Sequence, residues 1–410
     1  MDPSPCTQPS PEALRSLIAR GPSADAAKPL LSLRHLAGLA VERMHFPGTK
    51  PVQLQIRAWD QGGQSQTLLG EWVGEAAADL AATEIARLAK SRRGKMAQDT
   101  VVVADAAHGL LLRRPGFDAK LPGLRLLHDA GFARESLGKL GCDGHVSVTL
   151  VTHRLGKRAV LRITAPDGTR YARLRPVTSD SGQVAFDQHQ ALWQALEGSP
   201  NLAIPRPLAF DAGLGLALFA ALPGEPPRFQ GLDGFRATQS VLAAVLGLQA
   251  LRIPAPLHGV AEELAILQGW ASRLTDVFPD LAARLHAPLD RLQHDMTAVA
   301  PLAAVPCHRD LHEGQILLDQ TLAGLLDFDT LRLGDPALDV GNLQAHLVLA
   351  SLRDGRSRRG FTTAMDNGLP QLSIARIALW RRAALLRLAL IYAFTAEPRT
   401  IIHGLLDEAA

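Results

Sequence analysis

At 410 residues the chain has room for two or three domains, and 47% hydrophobic with 20% charged residues excludes a disordered or fibrous polypeptide. The formal net charge is +3, with lysines and arginines spread out, so no nucleic-acid partner is expected. Cys6, Cys142 and Cys307 are odd in number and lack zinc or disulfide spacing, which fits a reducing cytoplasm.

The opening Met-Asp-Pro-Ser-Pro-Cys has no basic stretch before an apolar core, so a secretory signal is not expected. Residues 1–30 are rich in Pro, Ala and Ser, carry one short helical pattern over 11–20, and read as a flexible lead-in. Val52, Leu54, Ile56 and Ala58 alternate with polar residues, the period of a half-buried strand, and Gly62-Gly63 turns the chain into a second strand over 67–73. A helical pattern follows over 76–90, then one or two strands over 100–113.

After a connecting stretch, 115–139, a similar order recurs. Strands are expected at 158–163 and 170–174 about a Pro166-Asp167-Gly168 turn, a helix at 184–196 and a strand at 215–221. The two series are offset by about 105 residues with slight identity, which leaves an internal duplication and two unrelated α+β units both open. From about Gln230 onward apolar residues recur at three and four over 237–251, 260–274, 281–299 and 374–394. Residues 383–394 contain Arg387 and fall short of the roughly 20 needed to cross a bilayer, so they read as a buried core helix and no membrane association is expected. Only 305–331 interrupts the helices, with two short apolar segments around Asp319-Gln320.

The informative stretch is His308-Arg309-Asp310-Leu311-His312-Glu313-Gly314-Gln315, followed by Asp327-Phe328-Asp329 and Gly334-Asp335-Pro336-Ala337-Leu338-Asp339. A lone Asp beside a His is usually a turn or cap residue; the joint spacing between short strands sets this one apart. Phosphoryl transfer needs these types: a carboxylate to orient a hydroxyl and take its proton, and a carboxylate with an amide oxygen to hold magnesium. The stretch resembles the catalytic and metal-binding loops of aminoglycoside phosphotransferases and choline kinase-like small-molecule kinases, which share the protein kinase fold. The resemblance implies Asp310 as catalytic base, Gln315 and Asp327 as magnesium ligands, and ATP, with GTP as the alternative, as donor. Gln315 stands where the family has Asn, one methylene longer. Asp335 and Asp339 are read as loop-holding and capping residues. Only seven residues separate Asp327 from Asp335, too few for a peptide-docking segment, so a small-molecule acceptor is expected. His312 reads equally as a feature of that small-molecule branch and as a hydrogen-bonded loop residue.

Upstream, 156–162 and 171–176 resemble the family's second and third strands, with Arg173 where a lysine usually meets the phosphates. Arginine keeps the charge but not the compact ammonium, and a solvated strand arginine is the bland alternative. The following helix offers no glutamate to it; His189 reads as a core-edge histidine and the nearest acid is Asp187. Residues 218–224 resemble the hinge, where backbone groups of Ala220 and Leu222 would meet adenine.

The expected architecture is α+β: a flexible lead-in (1–30), an N-terminal α+β cap-like unit (31–140), a β-rich kinase-like lobe (141–226) and a helical lobe with the catalytic loop (227–410). The expected activity is transfer of the terminal phosphoryl group to a hydroxyl of a small polar metabolite, a sugar or amino sugar by resemblance. The alternative is a weak or inactive pseudokinase that senses nucleotide or acts as a scaffold. Oligomeric state is not set by the sequence.

Overall fold

A computed structural model describes residues 8–33, 35–48, 50–91, 100–178 and 180–410; Cys6 and the first residues of the lead-in lie outside these. Helix α1 (Pro11–Arg20) starts where the Ser10 side chain accepts the Ala13 N–H at 3.2 Å and Pro11 occupies the first turn, where its missing N–H costs nothing. Leu14, Leu17 and Ile18 share one face and are buried, and Arg15 Nη1 donates to the Val277 carbonyl at 2.8 Å. Gly21 ends the helix at φ 71°, where a Cβ would lie 2.7 Å from the Leu39 carbonyl oxygen. Residues 11–20 and the short α2 (Ala24–Ala27) are thus anchored in place of the flexible lead-in expected. Each buried apolar side chain contributes about 1.5–3 kcal/mol, which outweighs a Pro/Ala/Ser-rich composition.

The first sheet comprises β1 (Leu36–His45), β2 (Gln53–Asp60), β3 (Ser65–Trp72), β4 (Val102–Asp105) and β5 (Leu110–Arg113), antiparallel in the order β1-β2-β3-β5-β4, with α3 (Ala77–Ser91) between β3 and β4. After α4 (Ala130–Gly138) a second sheet forms from β6 (Ser147–Arg154), β7 (Arg158–Ala165), β8 (Gly168–Leu174), β10 (Pro207–Asp211) and β11 (Leu216–Ala220), with α5 (Ser181–Ala195) and the short β9 (Leu202–Ala203) between β8 and β10. Its order, β6-β7-β8-β11-β10, repeats that of the first sheet, and each sheet inserts its helix after the third strand. Of the two readings left open by the sequence, a shared layout about 105 residues apart favours duplication.

Alternation sorts the second sheet. Leu161, Ile163, Ala172 and Leu174 are buried with Leu137 of α4, which leaves Arg158 and Arg173 on the opposite face. The remaining chain is mainly helical: α6 (Gly231–Gln249), α7 (Val260–Val277), α8 (Pro279–Ala298), α9 (Leu338–Asp354), α10 (Arg359–Asn367), α11 (Ile374–Tyr392) and α12 (Arg399–Ala409). Helix α11 is capped by Ser373, whose hydroxyl accepts the Arg376 N–H at 3.2 Å, and it buries residues on all sides, the central core helix expected. It lies close to α9 because Gly341 has no side chain; a Cβ there would sit 2.6 Å from the Arg381 nitrogen.

Two small sheets interrupt the helices: β12 (Leu257–His258), β13 (Val305–Cys307) and β16 (Arg332–Gly334) form one, while the hairpin β14 (Ile316–Asp319) and β15 (Leu322–Leu325) joins β9 in the other. The first sheet is continuous with the helical body. Phe46 packs edge-on against Trp270 and Phe394 at centroid distances of 5.8 and 5.1 Å, and the Ala396 N–H donates to the Val41 carbonyl at 2.7 Å. Among the described residues no helix is long and apolar enough to cross a membrane.

Candidate active site

Strand β13 leads directly into His308, which is fully buried and fixed on several sides. The His308 and Arg309 N–H groups donate to the two Asp339 oxygens at 2.7 Å each, the His308 Nε2 lies 2.6 Å from the Leu326 carbonyl, and the Thr330 hydroxyl donates to the His308 carbonyl at 2.8 Å. These bonds stitch the loop after β13 to the segment after β15. They also hold two non-glycine residues in left-handed backbone, Arg309 at φ 71° and Asp327 at φ 60°, a conformation kept only where surrounding contacts over-determine it. Asp310 stands exposed at the tip of the first loop. Asn342 on α9 supports it from below, donating to the Leu311 carbonyl at 2.9 Å while accepting from Arg387. Arg387 in turn pairs with buried Glu263, which takes His258 Nε2 at 2.8 Å. Burial would raise the Glu263 carboxyl, but Arg387 and His258 hold it at about 2.

Gln315 is fixed through its backbone: its N–H donates to the His312 carbonyl and its carbonyl accepts from Leu326, both at 2.9 Å. Its side-chain amide makes no hydrogen bond among the described residues. Asp327 faces the arginines of the second sheet. Arg158 reaches it at 3.1 Å and Arg173 at 3.2 Å. The same arginines continue to Asp329, Arg158 at 2.6 Å and Arg173 in a tighter contact, and Arg175 adds a third pair at 2.8 Å. Burial would lift the Asp329 carboxyl, but these three guanidinium groups keep it below its ordinary value.

Arg173 therefore sits in the cleft and is not a solvated strand residue. Its partner is an aspartate of the loop, where a protein kinase would supply a glutamate from the helix. His189 on α5 has a structural place: Nε2 lies 2.7 Å from the Pro205 carbonyl, its ring is edge-on to Phe219 and Phe328, and burial lowers it to about 4. Arg158, Arg175 and Asp329 escaped the sequence reading. A signal was available for Arg175, two residues beyond Arg173 on one strand face; Arg158 needed the β7–β8 register.

At the hinge the Ala220 N–H is already committed to the Arg206 carbonyl at 2.9 Å. The Leu222 N–H has no partner among the described residues. The β6–β7 turn is held from outside the sheet: the Gly156 N–H donates to Asp118 at 2.6 Å, and Arg154 meets the His45 ring of β1 at 2.8 Å. Asp335 and Asp339 act as expected of holding residues, Asp335 accepting the Ala337 N–H at 2.9 Å and pairing with Arg376.

Residues 147–374 match the sequence model of the phosphotransferase enzyme family, more than half of the chain. The chain belongs to the phosphotransferase enzyme family. An uncharacterized protein of Deinococcus radiodurans is 39% identical to this phosphotransferase-family chain over 118 residues, 25% of the chain, which thus spans only 34% of that relative. Among solved structures it is similar to a spectinomycin phosphotransferase in complex with ADP and spectinomycin (TM-score 0.49, 11% identity, 68% of this chain and 97% of that one). It is also similar to an aminoglycoside phosphotransferase from Streptomyces rimosus (TM-score 0.43, 22% identity, 63% and 95% covered).

Proposed function

We propose that this chain transfers the terminal phosphoryl group of ATP to a hydroxyl of a small polar metabolite. The observation that carries the reading is the stitched pair of loops: an exposed carboxylate, Asp310, on a loop bound through His308 to the segment bearing Asp327, opposite cationic Arg158 and Arg173. Asp310 is the base: it orients the acceptor hydroxyl and takes its proton as the oxygen attacks phosphorus. Arg173 and Arg158 exchange Asp327 and Asp329 for phosphate oxygens when nucleotide enters, and the carbonyl of Ala220 with the N–H of Leu222 takes the adenine edge. The unengaged amide oxygen of Gln315 and the carboxylate of Asp327 are hard oxygen donors of the kind magnesium takes, so the donor set fits. When bound, that ion would neutralise charge on the phosphates.

The acceptor class we assign is a sugar or amino sugar, which rests on family membership. The test is ADP release by purified protein over a panel of sugars, aminoglycosides and amino alcohols. A turnover lost by about a hundredfold or more in Asp310→Asn supports the reading. Release no greater than that of the Asp310→Asn protein across the panel would overturn it.

A further inference from the structure

Between the catalytic loop and α9, outside the roles assigned above, three side chains converge. The donor atoms of His312, Glu313 and His346 all lie within 4.8 Å of one another. His312 and Glu313 belong to the loop after β13, whereas His346 comes from α9, and the two imidazole rings are stacked at 4.9 Å with planes 25° apart.

Their hydrogen-bonding capacity is unspent. Glu313 Oε2 is shielded from solvent and has no partner among the described residues. His312 uses only Nδ1, which accepts the Gly314 N–H at 3.1 Å, so Nε2 is open. Among the described residues His346 makes no hydrogen bond, only the ring contact. A carboxylate oxygen left unsatisfied away from water costs about 1–3 kcal/mol or more, so Glu313 Oε2, with two imidazoles beside it, calls for a partner.

That partner is a cation. Nearby arginines do not serve: Arg358 pairs with Asp354 at 2.7 Å, Arg353 with Glu397 at 2.7 Å and Arg387 with Glu263, and Arg43, whose charge reaches His312, makes no ion pair with Glu313 among the described residues. Two imidazoles and one carboxylate are the donors that zinc and its first-row neighbours select, whereas magnesium keeps to oxygen. We infer that His312, Glu313 and His346 bind a divalent transition ion of the zinc class, separate from Gln315 and Asp327, and that the ion ties the catalytic loop to α9. Zinc–nitrogen bonds of about 2.0–2.1 Å require the three donors to draw together from their present spacing, the two imidazoles as well as the carboxylate.

The test is calorimetric titration of the metal-stripped full chain with zinc in excess magnesium, with cobalt absorption as an independent report of coordination geometry. One ion should bind per chain, about tenfold or more weaker in His346→Ala and in Glu313→Gln, and unchanged in Asp327→Asn. Should His346→Ala fail to fold, Glu313→Gln on the loop decides alone. Absence of zinc binding, binding indifferent to Glu313→Gln, or binding abolished by magnesium or by Asp327→Asn would each overturn the inference; the last two would put the ion at the magnesium donors.

Discussion

Asp329→Asn separates the two things the arginine cluster does. Asn keeps an acceptor oxygen and the shape of the side chain, so what is lost is the charge that Arg158, Arg173 and Arg175 share. Asp329 is 18% exposed and its partners 20–26%, between the regimes of surface pairs and fully buried ones. Surface pairs contribute about 0–1 kcal/mol and breaking a buried pair costs about 3–5 kcal/mol, so we expect a loss of about 2 kcal/mol, read by urea denaturation at neutral pH. The sign with pH follows from the lowered carboxyl. Its stabilisation is complete above the usual aspartate value and is lost as pH falls through the lower folded value, so the difference between parent and variant should shrink in acid. Nucleotide affinity should move the other way, because three guanidinium groups no longer need to leave Asp329 to meet phosphates. Titration with a fluorescent ATP analogue should therefore show tighter binding in the less stable protein. A variant as stable as the parent, or one that binds the analogue more weakly, would refute the exchange of carboxylate for phosphate.

Gln315→Asn should raise magnesium affinity in the presence of nucleotide, measured by the magnesium dependence of ATP-induced thermal shift, because it restores the shorter amide. Glu263→Gln leaves Arg387 without its buried counter-charge and should cost about 3–5 kcal/mol. In the parent, this contribution is present above the ordinary glutamate value and is lost as pH falls toward about 2, which acid titration followed by circular dichroism will locate. Gly341→Ala drives a methyl into the α11 backbone and should cost about 1–3 kcal/mol by the same denaturation assay, without changing nucleotide affinity. Burial pushes the Cys307 thiol up, so it should resist alkylation in the native protein at mildly alkaline pH and react on unfolding, as mass spectrometry of its peptide will show.

Much of this could be read from the chain because local signals and tertiary structure agree. The spacing of His308, Asp310 and Asp327 reflects a loop closed on itself by short-range bonds, and residues 383–394 are mostly apolar because this part of the chain is largely buried, Arg387 being paired with Glu263. Pairwise charge was hidden. Arg158 and Asp329 lie far apart in sequence and meet only when β7, β8 and the loop after β15 come together. The anchoring of α1 was hidden too, since Leu14, Leu17 and Ile18 show a face but not what covers it. Nor did the zinc-class cluster announce itself, because His346 enters from a helix downstream of the motif that carries its partners.

The turn between β6 and β7 is fastened to residues of the connecting stretch: Asp118 takes the Gly156 N–H and lies 3.4 Å from the ring of His153, whose other nitrogen accepts the Gly116 N–H at 3.1 Å. A turn free at its tip can lift like a flap. Here lifting it means parting Asp118 from its contacts, or carrying residues 116–120 along. Any movement of this turn is thereby geared to the seam between the two repeated sheets.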